Sequence, residues 1–272
     1  MKKTMIYSVL TVIALGFAAP ILIIAYNSFK GRLYITDQLF ALPNEISFAG
    51  LSNYIGGIEA VGFWSALKYS LFITVMSVAV IVLFTSMSAW YIVRAGSRST
   101  KLIYYAFAFS IIVPFQMVMY PLSKTANVLN LDNPLGIVII YLGFGAGLSV
   151  FLFCGFVRSI PYEIEEAAYI DGCGPVQTYF KVVFPVLRPT AVTVAILNTM
   201  WIWNDYLLPY LLIGNEYKTI PVAVQYLKGG YGSIDYGYMM AVLVLAVIPI
   251  IVFYLTCQKY IVKGVIAGAV KG

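Results

Sequence analysis

The sequence predicts an all-α polytopic membrane protein with six transmembrane helices and a cytoplasmic loop between the fourth and fifth. Three observations carry that expectation. Of the 272 residues, 61% are hydrophobic and 10% charged, against about 25% charged in an average soluble domain. The apolar residues gather into runs close to the ~20 residues that cross a ~30 Å hydrocarbon core. The runs are continuous rather than alternating with period two, which selects helices over a barrel as the way to satisfy the backbone in lipid.

The expected spans are 5–27, 66–93, 102–122, 135–157, 186–213 and 238–261. The first follows Lys2-Lys3 and passes Ala18-Ala19-Pro20, a faint signal-cleavage pattern. Its apolar run continues through Tyr26, longer than the 7–15 residues of a signal core, so 1–27 reads as a retained anchor. The outer loop 28–65, with Pro43, Gly50, Gly56 and Gly57, reads as a short ordered cap with an interfacial helix near Trp64. The second span closes at Arg94, and Ala95-Gly96-Ser97-Arg98-Ser99 is a tight turn. The third carries Pro114 and Gln116. A helical proline loses an i−4 bond and bends the axis, and in a bundle the neighbours re-satisfy the freed groups, so one bent span is expected. Gly143, Gly145 and Gly147 in the fourth predict close helix packing. Residues 66–262 form the transmembrane core, with a loop at 158–188, and 263–272 is a C-terminal tail.

Orientation follows from Lys and Arg, which accumulate on the cytoplasmic side. With the N-terminus inside, eleven of the 17 basic residues fall on the inner side and six on the outer. Both termini and the loop at 158–188 are then cytoplasmic, in a multi-pass protein of the cell membrane. The net charge of +6 is accounted for by inner-face residues meeting anionic lipid rather than nucleic acid.

Several chemistries are excluded. Histidine is absent, which removes the commonest general base and metal ligand. Cys154, Cys173 and Cys257 have neither zinc spacing nor a disulfide framework. No phosphate-binding loop and no nucleophile elbow occurs. The chain is expected to be no enzyme and to hold no cofactor or metal.

The segment Glu165 to Pro185, EEAAYIDGCGPVQTYFKVVFP, is out of keeping with its apolar flanks. Pro161 suits a first helical turn, and Glu163, Glu165 and Glu166 suit the positive end of that helix. Gly172 suits the left-handed stop. Pro175 opens a second, amphipathic helix that is expected to end before Pro185. A helix–turn–helix bracket on the inner membrane surface results. On spacing alone, a plain interfacial loop between two spans satisfies the same residues.

Glu166-Ala167-Ala168, Asp171-Gly172 and Phe184-Pro185 resemble the EAA loop of binding-protein-dependent import permeases, with Cys173 where alanine is usual and Phe184 where leucine is usual. Trp203-Asn204-Asp205-Tyr206 with Pro209 is similar to a stretch of carbohydrate permeases, and the ending from Gly264 to Gly272 to the tail of the second permease of maltose-type systems. The resemblance implies a sugar ABC importer. Its partners would be a second permease chain, two ATPase subunits carrying ATP and Mg2+, an extracytoplasmic sugar-binding protein and membrane lipid. It implies that Glu165, Glu166, Ala167, Ala168, Asp171 and Gly172 couple the chain to an ATPase. Small Ala167 and Ala168 would seat in a cleft of the partner, Glu166 would bond a basic group there, and Asp171 would cap or brace the turn. ATP-driven closure would then rock the spans in alternating access.

Polar groups inside spans are costly and often functional. Asn198, Trp201, Asn204 and Asp205 are the candidates for the sugar pathway. Asp205 lies about 15 residues from Thr190, roughly 22 Å up a helix, and shares a face with Asn198 and Trp201 by i, i+3 and i+4 steps. Interface anchoring and helix pairing are the plainer roles for these residues. The outer loop 214–237, with Tyr217, Tyr226, Tyr231 and Tyr236 among Gly229, Gly230 and Gly232, is a candidate contact for the binding protein. The rival functions are an ion-coupled secondary transporter, for which Asp205 is the lone intramembrane acid, and a non-transporting structural membrane subunit, which leaves the acidic bracket unexplained.

Overall fold

The computed structural model describes residues 2–214, 216–227 and 235–269, with side chains from Lys3 as far as Tyr260. Gly229, Gly230, Tyr231 and Gly232 of the outer loop, and Val270, Lys271 and Gly272 of the tail, lie outside the described residues, as do the side chains from 261 to 269. The described chain is helical, with an isolated bridge between Lys30 and Phe48. Contacts divide it into two units, 1–68 with 219–252 and 69–218 with 253–272.

The first unit contains α1 (Lys2–Asn27), α2 (Arg32–Asp37), α3 (Ser52–Val61), α12 (Ile220–Tyr226) and the first part of α13 (Tyr236–Ala269). Apolar side chains along α1, among them Val12 and Phe17, are exposed, as a membrane helix allows. The expected cap is present and is organised around a buried cation. Lys30 is 1% exposed. Its Nζ donates to the carbonyls of Gln38, at 2.8 Å, and Ala41, and burial pulls its pKa below the usual lysine value. Asn53 of α3 donates to the carbonyls of Ser28 and Lys30 at 2.8 and 2.7 Å. Gly56 and Gly57 do not serve the cap as turns. They lie within α3, where a Cβ at Gly56 would come 2.5 Å from the Tyr238 ring of α13. Trp64 lies in the first turn of the next helix, three residues after α3 ends.

The second unit holds most of the remaining helices: α4 (Phe63–Ala95) from Tyr69 onward, α5 (Arg98–Ser110), α6 (Phe115–Val128), α7 (Pro134–Val157), α8 (Glu163–Ile170), α9 (Pro175–Thr178), α10 (Phe184–Asn204) and α11 (Leu207–Leu212). Its core is built from α4, α7 and α10, with Ile81, Tyr141, Val150, Phe153, Leu187 and Val194 fully buried. Gly145 and Gly147 permit the close approaches. A Cβ on Gly145 would come 2.6 Å from Ile81 and 2.8 Å from Asn198, and one on Gly147 would come 2.9 Å from the Phe107 carbonyl of α5. Gly143 has open space around it and serves no such contact.

Among the described residues, five helices are long and apolar enough to cross a membrane, and α5 with α6 makes a sixth span if the pair is counted as one. That pair is bent by 105°, far more than the single bent helix expected there. Pro114 caps α6 in an extended conformation, φ −65° and ψ 138°, and the residue before a proline, here Val113, is driven out of the helical region, so α5, which ends at Ser110, cannot run on into α6. The expected break before Pro185 is missing. Pro175 to Asn204 forms one span, with Tyr179–Val183 coiled as a π-helical turn. A π turn is wider than an α turn, and the extra width relieves the clash of the Pro185 ring with the carbonyl four residues back. The second arm of the bracket is therefore the foot of α10, not a separate surface helix. At the other end α10 stops at Asn204, so Asp205 caps a helix instead of lying within a span. The backbone of α13 continues to Ala269, so much of the expected tail prolongs the last helix.

Candidate functional site

The acidic loop begins with α8, whose first turn carries Glu163, Glu165 and Glu166, the end of a helix where carboxylates are favoured. Pro161 precedes the helix, and Tyr162 is its N-cap. The stop comes where the sequence places it. Asp171 is the C-cap, and Gly172 has φ +82°. The Cys173 amide donates to the Ala168 carbonyl at 2.9 Å and the Gly172 amide to the Tyr169 carbonyl at 3.0 Å, the paired 6→1 and 5→2 bonds of a Schellman ending. No neighbour crowds Gly172, so backbone strain is the whole penalty for a side chain there. Gly172→Ala is expected to cost about 1 kcal/mol and to speed amide hydrogen exchange in α8. Unchanged exchange would show that the left-handed turn is not what ends the helix.

The two adjacent glutamates have opposite fates. Glu165 is 1% exposed. Arg94, at the end of α4, donates from Nε to its Oε1 at 2.8 Å, with Nη2 2.7 Å from the same oxygen. Trp90, one turn earlier, donates from Nε1 to Oε2 at 2.9 Å. Both carboxylate oxygens are thus engaged by charge-assisted bonds. Arg94 Nη2 also donates to the Ile160 carbonyl at 3.1 Å, and the guanidinium lies 5.5 Å from the centre of the Tyr162 ring. Glu166, Ala167 and Asp171 are exposed, while Ala168 is buried beneath α8. The six candidate residues therefore divide: Glu165 and Ala168 hold the helix down, Gly172 and the Asp171 backbone end it, and Glu166, Ala167 and the Asp171 side chain form an outer face. Past Gly172, Tyr179 is buried, its hydroxyl 2.7 Å from Ser86 Oγ and its ring 5.6 Å from that of Trp90.

Three of the four candidate pathway residues lie on α10, and the fourth, Asp205, is its C-cap. Asn198, 6% exposed, donates to Ser149 Oγ of α7 at 3.1 Å and to the Val194 carbonyl at 2.8 Å. Asn198 and Trp201 line a recess of about 160 Å³ with Phe144, Gly145, Leu148 and Leu197. Trp201 meets Tyr141 edge-on, with centroids 5.5 Å apart. Asp205 is not among the residues that line this recess. Its Oδ2 accepts from the Tyr141 hydroxyl at 3.0 Å and its Oδ1 from the Leu207 amide at 3.0 Å, so it fixes the turn into α11. Asn204 is exposed and folds back onto the Met200 carbonyl. Two of the four candidates are together at the recess and two are not. In the outer loop, Tyr217 packs on Tyr69 at 5.3 Å.

The sequence reading missed Trp90, Arg94, Tyr141 and Tyr179 as site residues. Trp90 and Arg94 carried one usable signal, an i, i+4 pair at the polar end of an apolar run. Tyr141 and Tyr179 carried none, because each acquires its partner only through packing.

Fold and site together define a polytopic helical membrane protein whose acid-rich loop is fastened to the end of one span and presents a second face outward. The family described as binding-protein-dependent transport system inner membrane component matches residues 81–267. The chain belongs to that family, as a permease subunit of an ABC importer. It is 38% identical over 261 residues to the probable starch degradation products transport system permease protein AmyC of Thermoanaerobacterium thermosulfurigenes, covering 96% of this chain and 94% of the relative. It is 35% identical over 270 residues to the multiple sugar-binding transport system permease protein MsmG of Streptococcus mutans, covering 97% and 96%. Among solved structures, a bacterial ABC transporter involved in the import of the acidic polysaccharide alginate matches with a TM-score of 0.80 at 25% identity, over 95% of each chain.

Proposed function

We propose that this chain is one half of the translocation pathway of an ATP-driven importer of small oligosaccharides, coupled through α8 to an ATPase subunit. The observation that carries the reading is the division of α8: Glu165 anchored inward on Arg94 and Trp90, with Glu166, Ala167 and Asp171 turned outward. An outer face of small and acidic residues on a firmly held helix suits insertion into a basic cleft of a partner. The names of the two relatives above, which mention starch degradation products and multiple sugars, support a carbohydrate cargo.

ATP and Mg2+ are bound and ATP hydrolysed on two ATPase subunits, not on this chain. A second permease, a different polypeptide, supplies the other half of the pathway, and an extracytoplasmic sugar-binding protein delivers the cargo. Both termini and α8 face the cytoplasm, as the basic residues direct. The recess at Asn198 and Trp201, about 160 Å³, is smaller than the ~300–1,000 Å³ of a complete small-molecule pocket. It therefore contributes part of a sugar site, with Trp201 as a stacking face and Asn198 as the polar group. Trp201→Ala is expected to lower uptake several-fold, a loss of about 1 kcal/mol of ring contact, and unchanged uptake across a panel of labelled oligosaccharides would remove this residue from the pathway.

The coupling reading is tested by a cysteine at position 166 or 167 in the assembled transporter, with Cys173 replaced by serine. Efficient cross-linking to the ATPase is the expected result. Labelling only by membrane-impermeant reagents added from outside would overturn it.

A further inference from the structure

Beyond the outer face of α8, the loop is fastened by one stripe of α4. Ser86, Trp90 and Arg94 stand one turn apart and face the same side. Arg94 holds the Ile160 carbonyl and Glu165, Trp90 holds the other oxygen of Glu165, and Ser86 bonds the Tyr179 hydroxyl. Both arms of the loop, α8 before Gly172 and the π turn after it, are thereby attached to the last three turns of a single span.

The attachment is stiff for two reasons. Helix α8 has eight residues, fewer than the ~12–15 that an isolated helix needs for stability in water, so its orientation is set by these contacts rather than by its own propensity. Glu165 is sealed from solvent and cannot exchange Arg94 and Trp90 for water. Any displacement that separated them would leave a buried charge unpaired, which is strongly unfavourable. The low-resistance response to a push on α8 is for α4 to move with it.

We propose that Arg94 and Trp90 are positioning residues for energy coupling: with Glu165 they join α8, the π turn and the end of α4 into one strut that delivers displacement of α8 to the transmembrane helix. This rests on the coupling role proposed for α8. The strut makes α4 a recipient of the motion, even though α7 and α10 are the spans continuous with the loop.

The test uses the complete complex of this chain, its second permease and two ATPase subunits in lipid nanodiscs, with Cys173 and Cys257 replaced by serine. Spin labels at Tyr91 of α4 and Leu148 of α7, both exposed, report the distance between these helices before and after trapping with ATP and vanadate. A cysteine at position 166, in a parallel preparation, reports attachment of α8 to the ATPase. The expected results are a trapping-induced shift of the label distance in the wild-type chain, loss of that shift in Glu165→Gln, and retention of the cross-link in both. Glu165→Gln preserves shape and an acceptor for Trp90 but removes the charge. Arg94→Lys, which keeps a cation but gives up the paired geometry, is expected to lose the shift in the same way and is decisive if the first variant does not assemble. The double variant is expected to lose no more than either single one, because the two act as a unit. A full shift in either single variant, no shift in the wild type, or additive partial losses would overturn the proposal. Absence of the cross-link in the wild-type complex would instead overturn the coupling role of α8 itself.

Discussion

Glu166→Lys is expected to abolish ATP-driven uptake while leaving the chain folded. The residue is exposed on the outer face of α8, so reversing its charge disturbs no contact within the protein. Against the basic ATPase cleft proposed above, it would replace an attraction with a repulsion. Truncating one member of an interfacial charge pair costs about 2 kcal/mol or more, so ATPase affinity should fall about 30-fold or more. Co-purification of the ATPase, read beside the yield of folded permease, separates a docking defect from a folding one. Normal association and normal uptake in this variant would show that the outer face of α8 is not where the ATPase binds.

Arg94→Ala is expected to produce the opposite pattern, a defect that begins inside the chain. It leaves Glu165 buried with Trp90 as its one remaining side-chain donor among the described residues. Removing one partner of a buried ion pair costs about 3–5 kcal/mol, and because Arg94 is 19% exposed the lower end applies, about 3 kcal/mol. The apparent unfolding temperature of the purified chain in nanodiscs should fall accordingly. Replacing both members by apolar residues, Arg94→Met with Glu165→Leu, should restore most of that loss, since a buried pair exchanged for well-packed apolar groups is often neutral. The lost acceptor for Trp90 leaves a residual cost of about 1 kcal/mol. An unchanged unfolding temperature in Arg94→Ala would mean that water reaches Glu165 and that the clamp contributes nothing.

Prolines show where a local rule was outweighed. Pro114 and Pro185 follow the same local chemistry, yet the chain breaks at one and passes through the other. At Pro114 the backbone turns by 105° between α5 and α6, as it would in a soluble protein, although a bundle was expected to absorb the fault. At Pro185 the π turn of Tyr179–Val183 makes room for the ring and the span continues. The turn is held by Tyr179 through Ser86 and Trp90, residues on a distant helix, so no window of sequence around the proline contains the reason. Asp205 shows the same dependence on packing: its i, i+4 relation to Trp201 predicts a position within the helix, whereas α10 ends one residue earlier and Asp205 caps it, with Tyr141 donating to its carboxylate.

Composition and local backbone chemistry determined, without help from packing, that this protein is a membrane-embedded helical chain with an acidic loop whose first helix stops at Gly172. Apolar run length sets what crosses lipid, and a left-handed stop needs a residue without a Cβ. Which of two neighbouring glutamates turns inward was decided by tertiary structure alone. Glu165 finds its partners 71 and 75 residues away on α4, and burial beside a guanidinium and an indole is a property of two helices meeting, which neither segment encodes by itself.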